Sequence, residues 1–216
     1  MADGPPLEVK VWSEFACFTR PEMKAERMSY PVMTPSAARG VLEAIFWKPE
    51  FVWQVREIWV LNNIRHFSIL RNEVNHKAVV STAKRWAGKG GGYFADDTDN
   101  RAQRHTLALR DVAYLIKADV VLKPHATDDI AKYRDQFRRR MNRGQCYHRP
   151  YLGCREFAAS FGPPDGTEMP IELTDDLGRI LFDLDYEPDG SGRGKPRFFH
   201  AKLESGVLRI PPELYS

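Results

Sequence analysis

The alternation of apolar and polar positions predicts strands in three parts of the first 122 residues. Leu7 to Phe18 alternates loosely and is rich in Val, Trp and Phe, which is typical of an opening strand. Phe51 to Leu61 forms a second stretch of this kind. Leu107 to Leu122 is the longest strand candidate, with a break near Arg110 and Asp111.

Two segments show helical periodicity instead. Thr34 and Pro35 supply an N-cap and an N1 proline for the first helix, which ends near Trp47. The second helix is predicted to begin after a cap at Thr127 and to end before Gly144, which stands where a C′ glycine belongs. Its apolar stripe consists of Ile130, Tyr133, Phe137 and Met141.

With a further strand predicted at Leu152–Phe161, the elements follow the order β-α-β-(insertion)-β-α-β. This order indicates an α+β protein whose N-terminal part has the ferredoxin-like (RRM-like) fold. The insertion, about residues 64–106, includes a predicted hairpin around Phe67–Val80 and the glycine cluster at 88–92. We expect it to be long and mobile.

A Gly-Pro-Pro break after residue 161 predicts a domain boundary. Residues 1–162 would form the ferredoxin-like domain and residues 163–216 a small antiparallel β domain. The predicted strands of the second domain are Ile180–Tyr186, Arg197–Leu203 and Val207–Ile210. Within them, Asp183 and Asp185 are interpreted as an exposed strand face.

Composition excludes several classes of protein. The chain has 216 residues with 43% hydrophobic residues, and no apolar run approaches the roughly 18 to 20 residues that a membrane helix needs. The N-terminus lacks the features of a secretory signal, so we expect a cytoplasmic protein with no membrane partner. The cysteines are Cys17, Cys146 and Cys154, and we expect each to be a small buried residue. Neither their spacing to histidines nor the glycine cluster matches a zinc site or a phosphate loop, so no metal or cofactor is predicted.

The formal net charge of +3 is the average of two unlike regions. Residues 163–216 carry a net charge of −5, and residues 1–162 carry +8. The stretch 128–155 alone has a net charge of +5. Such a concentration indicates a polyanion-binding surface, although a solvated helix face with an arginine-rich last turn explains it as well.

Groups suited to acid–base chemistry follow directly after the basic helix. Tyr147 and His148 could exchange protons near a phosphodiester, and neighbouring cations could stabilise the charge that develops on it. Arg134 and Arg138 stand four residues apart and would repel unless an anion binds between them. Tyr133 lies at the edge of the apolar stripe, where a core aromatic is the simpler interpretation, and His148 could equally be an ordinary surface histidine.

Several segments together resemble a known family, the CRISPR-associated repeat-RNA-processing endoribonucleases of subtype I-C systems. These proteins are the d variant of the fifth Cas family, within the RAMP superfamily. The segments that carry the resemblance are Phe15–Arg20, Glu26–Tyr30, Thr34–Gly40, Ile45–Pro49, Leu109–Val112 and Tyr151–Glu156.

The resemblance implies metal-independent cleavage of CRISPR precursor RNA at the repeat hairpin, as part of antiviral defence. The ribose 2′-OH would attack the adjacent phosphate and leave a 2′,3′-cyclic phosphate. The protein would then stay on the 5′ handle beside the other subunits of the effector complex. The family places a tyrosine where this chain has Phe46, and a Lys-His pair that we align with Lys132 and Tyr133.

Because Phe46 carries no exchangeable proton, the acid–base work would pass to Tyr133, Tyr147 or His148, with Lys132 stabilising the phosphate. The residues expected to grip the RNA are Lys48, Arg134, Arg138, Arg139, Arg140, Arg143 and Arg149. Two alternatives stay open. One is a non-catalytic subunit that caps the RNA handle, and the other is general binding of double-stranded nucleic acid, including DNA.

Overall fold

The structure is a computed structural model that describes residues 4–23, 25–77, 79–96, 98, 100–187, 189–190 and 192–215. Helices and strands are interspersed up to residue 142, and strands follow up to a short final 3-10 turn. In chain order the elements are β1 (Leu7–Ala16), α1 (Pro35–Ile45), β2 (Phe51–Val60), β3 (His66–Val74), α2 (Val80–Lys89), β4 (Arg101–Leu122), α3 (Ile130–Asn142), β5 (Ser160–Gly162), β6 (Asp175–Tyr186), β7 (Gly194–Glu204), β8 (Val207–Arg209) and the 3-10 turn Pro212–Tyr215.

One eight-stranded sheet connects these elements. Its order is β5-β1-β4-β2-β8-β7-β6, and β3 pairs with β4 outside that path. All these pairings are antiparallel. β4 lies between β1 and β2, and its Ile116 is opposite Val9 of β1 on one side and Ile58 of β2 on the other. The predicted α+β class is therefore confirmed.

The sequence signals of α1 are confirmed in detail. The Thr34 hydroxyl accepts a hydrogen bond from the Ala37 amide at 3.3 Å, which satisfies one of the free N–H groups at the helix start. Val41, Leu42 and Ile45 are buried in the main core. The other side of α1 carries Arg39 and Glu43, which lie outside this apolar stripe.

The start of α3 differs from its prediction, while its end agrees. Asp129 rather than Thr127 is the cap, because its carboxylate accepts from the Ala131 amide at 2.7 Å. Gly144 follows the helix with a φ of 62°, the left-handed conformation expected of a C′ glycine. Tyr133, Phe137 and Met141 are buried, as the stripe predicts.

The predicted hairpin around Phe67–Val80 is wrong. β3 pairs instead with the first half of β4, from His66 opposite Leu109 to Val74 opposite Arg101, and α2 lies between the two strands in sequence. β4 therefore begins six residues earlier than predicted. The strand continues through the predicted break near Arg110 and Asp111, although Asp111 departs from regular strand conformation with a φ of 53°.

The strand predicted at Leu152–Phe161 is also largely wrong. Only Ser160–Gly162 forms a strand, because the chain before it turns back on itself, with the Leu152 amide donating to the Phe157 carbonyl at 2.9 Å. Gly153, with a φ of 84°, approaches the Cys17 backbone so closely that a Cβ would lie 2.0 Å from the Cys17 carbonyl oxygen. Cys17 and Cys154 are buried as expected, whereas Cys146 is partly exposed.

The three predicted C-terminal strands are present as β6, β7 and β8. β6 and β7 are longer than predicted, and β8 ends one residue earlier. They join the same sheet through β8, which pairs with β2. The interpretation of Asp183 as part of an exposed face is wrong. Its carboxylate is largely covered and pairs with Arg39 of α1, because a register shift between Leu181 and Asp183 interrupts the regular alternation of β6.

Candidate nucleic-acid interface

The arginines of α3 divide into buried and exposed groups. Arg134 is only 5% exposed, and its Nη2 donates to the Pro5 carbonyl. Arg138 is exposed and pairs with Asp135 at 2.9 Å. The two guanidinium groups therefore do not form the anion clamp that their spacing suggested, because the helix turns Arg134 toward the protein.

Four exposed cations, from α3 and from the segments that follow α1 and α3, are called the basic surface. Its members are exposed and make no ion pair with any residue in the described part of the chain: Lys48, Arg139, Arg143 and Arg149. Arg140 lies beside them, half-buried, and its Nη1 donates to the Ile45 carbonyl at 3.1 Å. Positive charge without a protein partner is available to an anion.

Backbone hydrogen bonds bring Tyr147 and His148 to the C-terminal end of α1. Both backbone amides donate to the Ala44 carbonyl, at 2.8 Å from Tyr147 and 3.4 Å from His148. The two rings meet edge to face with centroids 5.6 Å apart. Tyr147 is 84% exposed, so its hydroxyl group is accessible to a ligand on the basic surface.

Phe46 caps α1 and is only 1% exposed. Its ring packs on Phe51, with centroids 5.5 Å apart, and the Arg140 guanidinium lies 5.5 Å from the ring centroid. The position that carries a tyrosine in the resembled family is thus an apolar core position here. The Phe46 ring packs against the guanidinium of Arg140 and has no proton to donate.

Lys132 and Tyr133, aligned above with the family's Lys-His pair, point in different directions. Lys132 is exposed and its ammonium group pairs with Asp128 at 2.7 Å, a hydrogen bond that raises the pKa of Lys132. Tyr133 is 3% exposed, with its ring 5.4 Å from that of Phe51. Its hydroxyl is buried and has no hydrogen-bond partner among the described residues. The geometry therefore favours the core-aromatic interpretation of Tyr133.

A cleft of 520 Å³ opens beside the basic surface, between α1, the loop 148–153 and β6. His148 contributes to its lining, so this histidine connects the basic surface with the cleft. The polar and aromatic side chains that share the lining were not singled out as functional from the sequence: Arg39, Glu43, Tyr151, Asp183 and Tyr186.

Arg39 organises the charges in the cleft. Its two terminal nitrogens both donate to the Asp183 carboxylate, with Nη2 at 2.8 Å from Oδ1, and its Nε lies 3.5 Å from Oε1 of Glu43. Burial raises the pKa of Glu43, although Arg39 partly offsets that effect. The i,i+4 spacing of Arg39 and Glu43 is a sequence signal that could have identified this pair. Asp183, the other partner of Arg39, is 144 residues away from it.

Two negative observations complete the description. No group of three or more His, Cys, Asp or Glu side chains suited to hold a metal ion occurs among the described residues. Within those same residues, no helix is long and apolar enough to cross a membrane.

Comparison with known proteins extends the resemblance over nearly the whole chain. The family model Cas_Cas5d, described as "CRISPR-associated protein (Cas_Cas5)", matches residues 6–211. A Thermus thermophilus protein named "CRISPR pre-crRNA endoribonuclease Cas5d" is 50% identical over 97% of this chain and 93% of its own length. A Mannheimia succiniciproducens protein of the same name is 41% identical over 95% of each chain.

Solved structures share the fold at lower identity. A structure described as "Crystal Structure of CRISPR-associated Protein" has a TM-score of 0.66 and 22% identity, covering 98% of this chain and 96% of its own. A chain of a "CRISPR RNA-guided surveillance complex" has a TM-score of 0.54 and 12% identity, covering 97% and 92%. The matches define the class of this protein as CRISPR-associated. Within that class, the chain belongs to the Cas5 family, in its Cas5d form, so the resemblance stated from the sequence is confirmed.

Proposed function

We propose that this chain cleaves CRISPR precursor RNA at the base of the repeat hairpin. Its two relatives are both named as CRISPR pre-crRNA endoribonucleases. One observation carries the proposal for this chain's own residues. Tyr147 and His148 are hydrogen-bonded to the end of α1, beside unpaired arginines. The site thus combines groups that exchange protons with cations that attract a phosphodiester.

The proposed reaction needs no group besides these side chains. One of His148 and Tyr147 takes the proton from the ribose 2′-OH, and the freed oxygen attacks the adjacent phosphorus. The bond from phosphorus to the 5′ oxygen breaks, and the other residue protonates that oxygen. Arginines of the basic surface stabilise the extra negative charge on the phosphate.

In this proposal Lys132 does not stabilise the reacting phosphate, which is the role expected from the sequence. It lies in the first turn of α3, and Arg143 follows the last turn, so about 17 Å of helix separates them. We assign Lys132 and Arg138 to phosphates farther along the RNA. Tyr133 and Arg134 are left out because both side chains are buried.

The experiment compares cleavage of the cognate repeat RNA by wild type, His148→Ala and His200→Ala. His200 is an exposed histidine on β7, outside the cleft lining, and serves as the matched control. Loss of a general acid or base should slow His148→Ala about 100- to 10,000-fold with unchanged RNA affinity. Equal rates for all three proteins would contradict the role of His148.

A second candidate function is supported by Phe46. A subunit that only caps the RNA handle needs no proton donor at the family's tyrosine position. The buried Phe46 at that position is compatible with such a subunit. Tight repeat binding without turnover would favour it. Equal competition by double-stranded DNA of the same length would instead favour general duplex binding, because DNA lacks the 2′-OH.

We also propose how the fold serves this function. The order β5-β1-β4-β2, with α1 and α3 as connections, supports a ferredoxin-like domain over residues 1–162, carrying the whole basic surface. Residues 163–216 would form the appended β domain, whose β6 supplies one wall of the cleft. After cleavage, the RNA handle would stay on the chain within a CRISPR effector complex.

A further inference from the structure

The cleft beside His148 contains polar groups that the protein does not fully use. Asp183 accepts two of the five N–H donors of Arg39, which leaves three. One of these, on Nε, is buried without a hydrogen-bond partner among the described residues. Glu43 lies 3.5 Å from that Nε and accepts no hydrogen bond from any described side chain or amide. A carboxylate and an incompletely used guanidinium therefore lie side by side.

The rest of the lining suits a flat, partly apolar ligand. Tyr151 and Tyr186 contribute exposed phenol rings, and Pro150, Leu181 and Leu184 contribute apolar surface. A volume of 520 Å³ is within the range of about 300 to 1,000 Å³ that is usual for small-molecule sites. Unpaired bases are held in proteins by stacking on aromatic rings and by hydrogen bonds along their edges.

We propose that this cleft binds one unpaired guanine nucleotide. The two oxygens of Glu43 accept from N1–H and N2–H of the base, and a remaining donor of Arg39 binds O6. Guanine is the one RNA base whose Watson–Crick edge has two adjacent donors beside an acceptor. Asp183 acts as a positioning residue, because it holds the guanidinium toward β6 and keeps its plane fixed.

The position of the cleft favours a guanine within an RNA strand over a free nucleotide. His148 lines the cleft and its backbone is fixed to the α1 end, next to the basic surface, so a strand held there passes the cleft entrance. This part of the inference rests on the proposed function. A free guanine nucleotide has the same base chemistry and is distinguished by experiment.

The experiment measures binding of labelled oligouridine with a single central guanosine, compared with the same oligomer carrying adenosine or only uridine. Guanosine 5′-monophosphate alone is titrated in parallel. We expect the guanosine oligomer to bind about tenfold more tightly, since a bidentate base contact discriminates by that order. Glu43→Gln removes one acceptor and should abolish the preference. Glu14→Gln, an exposed glutamate on β1 outside the cleft lining, should retain it.

Three results would overturn the inference or part of it. Equal binding of all oligomers by the wild type, with no binding of the free monophosphate, overturns the guanine site. A preference that survives in Glu43→Gln overturns the role of Glu43. Binding of the free monophosphate without preference among oligomers overturns the RNA source. Repeat-RNA cleavage is measured on the same preparations. If the wild type cleaves repeat RNA but shows no preference for guanosine, only this inference is contradicted. If it prefers guanosine but does not cleave, only the proposed function is contradicted.

Discussion

The basic surface and the cleft carry two sets of charges, which differ in what they contact. On the basic surface, Arg139, Arg143 and Arg149 are exposed and have no ion-pair partner in the described chain. In the cleft, Arg39 is fixed between Asp183 and Glu43. Unpaired charge at the surface provides long-range attraction, whereas paired and oriented charge provides selectivity. In the proposed function, the unpaired cations would hold the RNA backbone and the paired charges of the cleft would select the base.

The largest effect should come from removing the unpaired charges together. In Arg139→Ala/Arg143→Ala/Arg149→Ala, we expect repeat-RNA affinity to fall about 10- to 100-fold, because fewer counterions are released on binding. The slope of log affinity against log salt should become less steep by about two to three. Filter binding at several salt concentrations measures both. An unchanged slope would place the RNA elsewhere.

Arg134, a buried arginine of α3, provides the opposite test. Arg134→Ala should lower the free energy of unfolding by about 2 kcal/mol, because it removes packing and the hydrogen bond to the Pro5 carbonyl. The affinity of the folded variant for RNA should not change. Chemical denaturation and RNA titration test the two statements separately. Weakened RNA binding by a variant of normal stability would show that burial was the wrong criterion.

The ion pair between Arg39 of α1 and Asp183 of β6 should contribute less to the free energy of unfolding. Asp183→Asn keeps the shape of the side chain but removes the charge that fixes Arg39, which is partly exposed. We expect a loss of about 1 kcal/mol in the free energy of unfolding. Asp185→Asn is the control, since Asp185 is mostly exposed and lies 3.7 Å from Arg197. Equal losses in both variants would mean that the Arg39–Asp183 ion pair stabilises the fold no more than an exposed ion pair does.

The smallest effect concerns the pH dependence of Glu43. Because burial raises the pKa of Glu43 above its usual 4.5, the folded state binds its proton more tightly than the unfolded chain does. The associated stability is present below pH 4.5 and is lost as the pH rises through the folded-state pKa. Glu43→Gln should therefore be equal to or slightly more stable than wild type at neutral pH, by about 0.5 kcal/mol or less. Denaturation curves from pH 4 to 7 measure this, and marked destabilisation at pH 7 would contradict it.

Local signals in the sequence predicted most of the fold. The caps and apolar stripes of α1 and α3, and the long apolar strands β1, β2 and β4, depend on neighbouring residues. They were found correctly apart from the Asp129 cap and the first six residues of β4. β3 was misassigned because its partner is the polar start of β4, whose register is set by a strand 35 residues away. The loop before β5 was misassigned because Gly153 turns to contact Cys17, far away in sequence.

The candidate site was predictable only in part, for the same reason. The local excess of Lys and Arg identified the basic helix. His148 was identified as a candidate because it follows that helix closely in sequence. The sequence could not show that Arg134 faces inward, since arginines three to five positions apart on one helix look alike in a charge pattern. The cleft was hidden because its charges come from α1 and β6, which only the complete sheet brings together.

The chemistry of the RNA ends tests the proposed cleavage directly. Wild-type protein is incubated with its repeat RNA in EDTA, and the products are analysed by mass spectrometry. We expect a single cut that leaves a 2′,3′-cyclic phosphate on one fragment and a 5′-hydroxyl on the other. Intact RNA, or fragments ending in 3′-hydroxyl and 5′-phosphate, would contradict it.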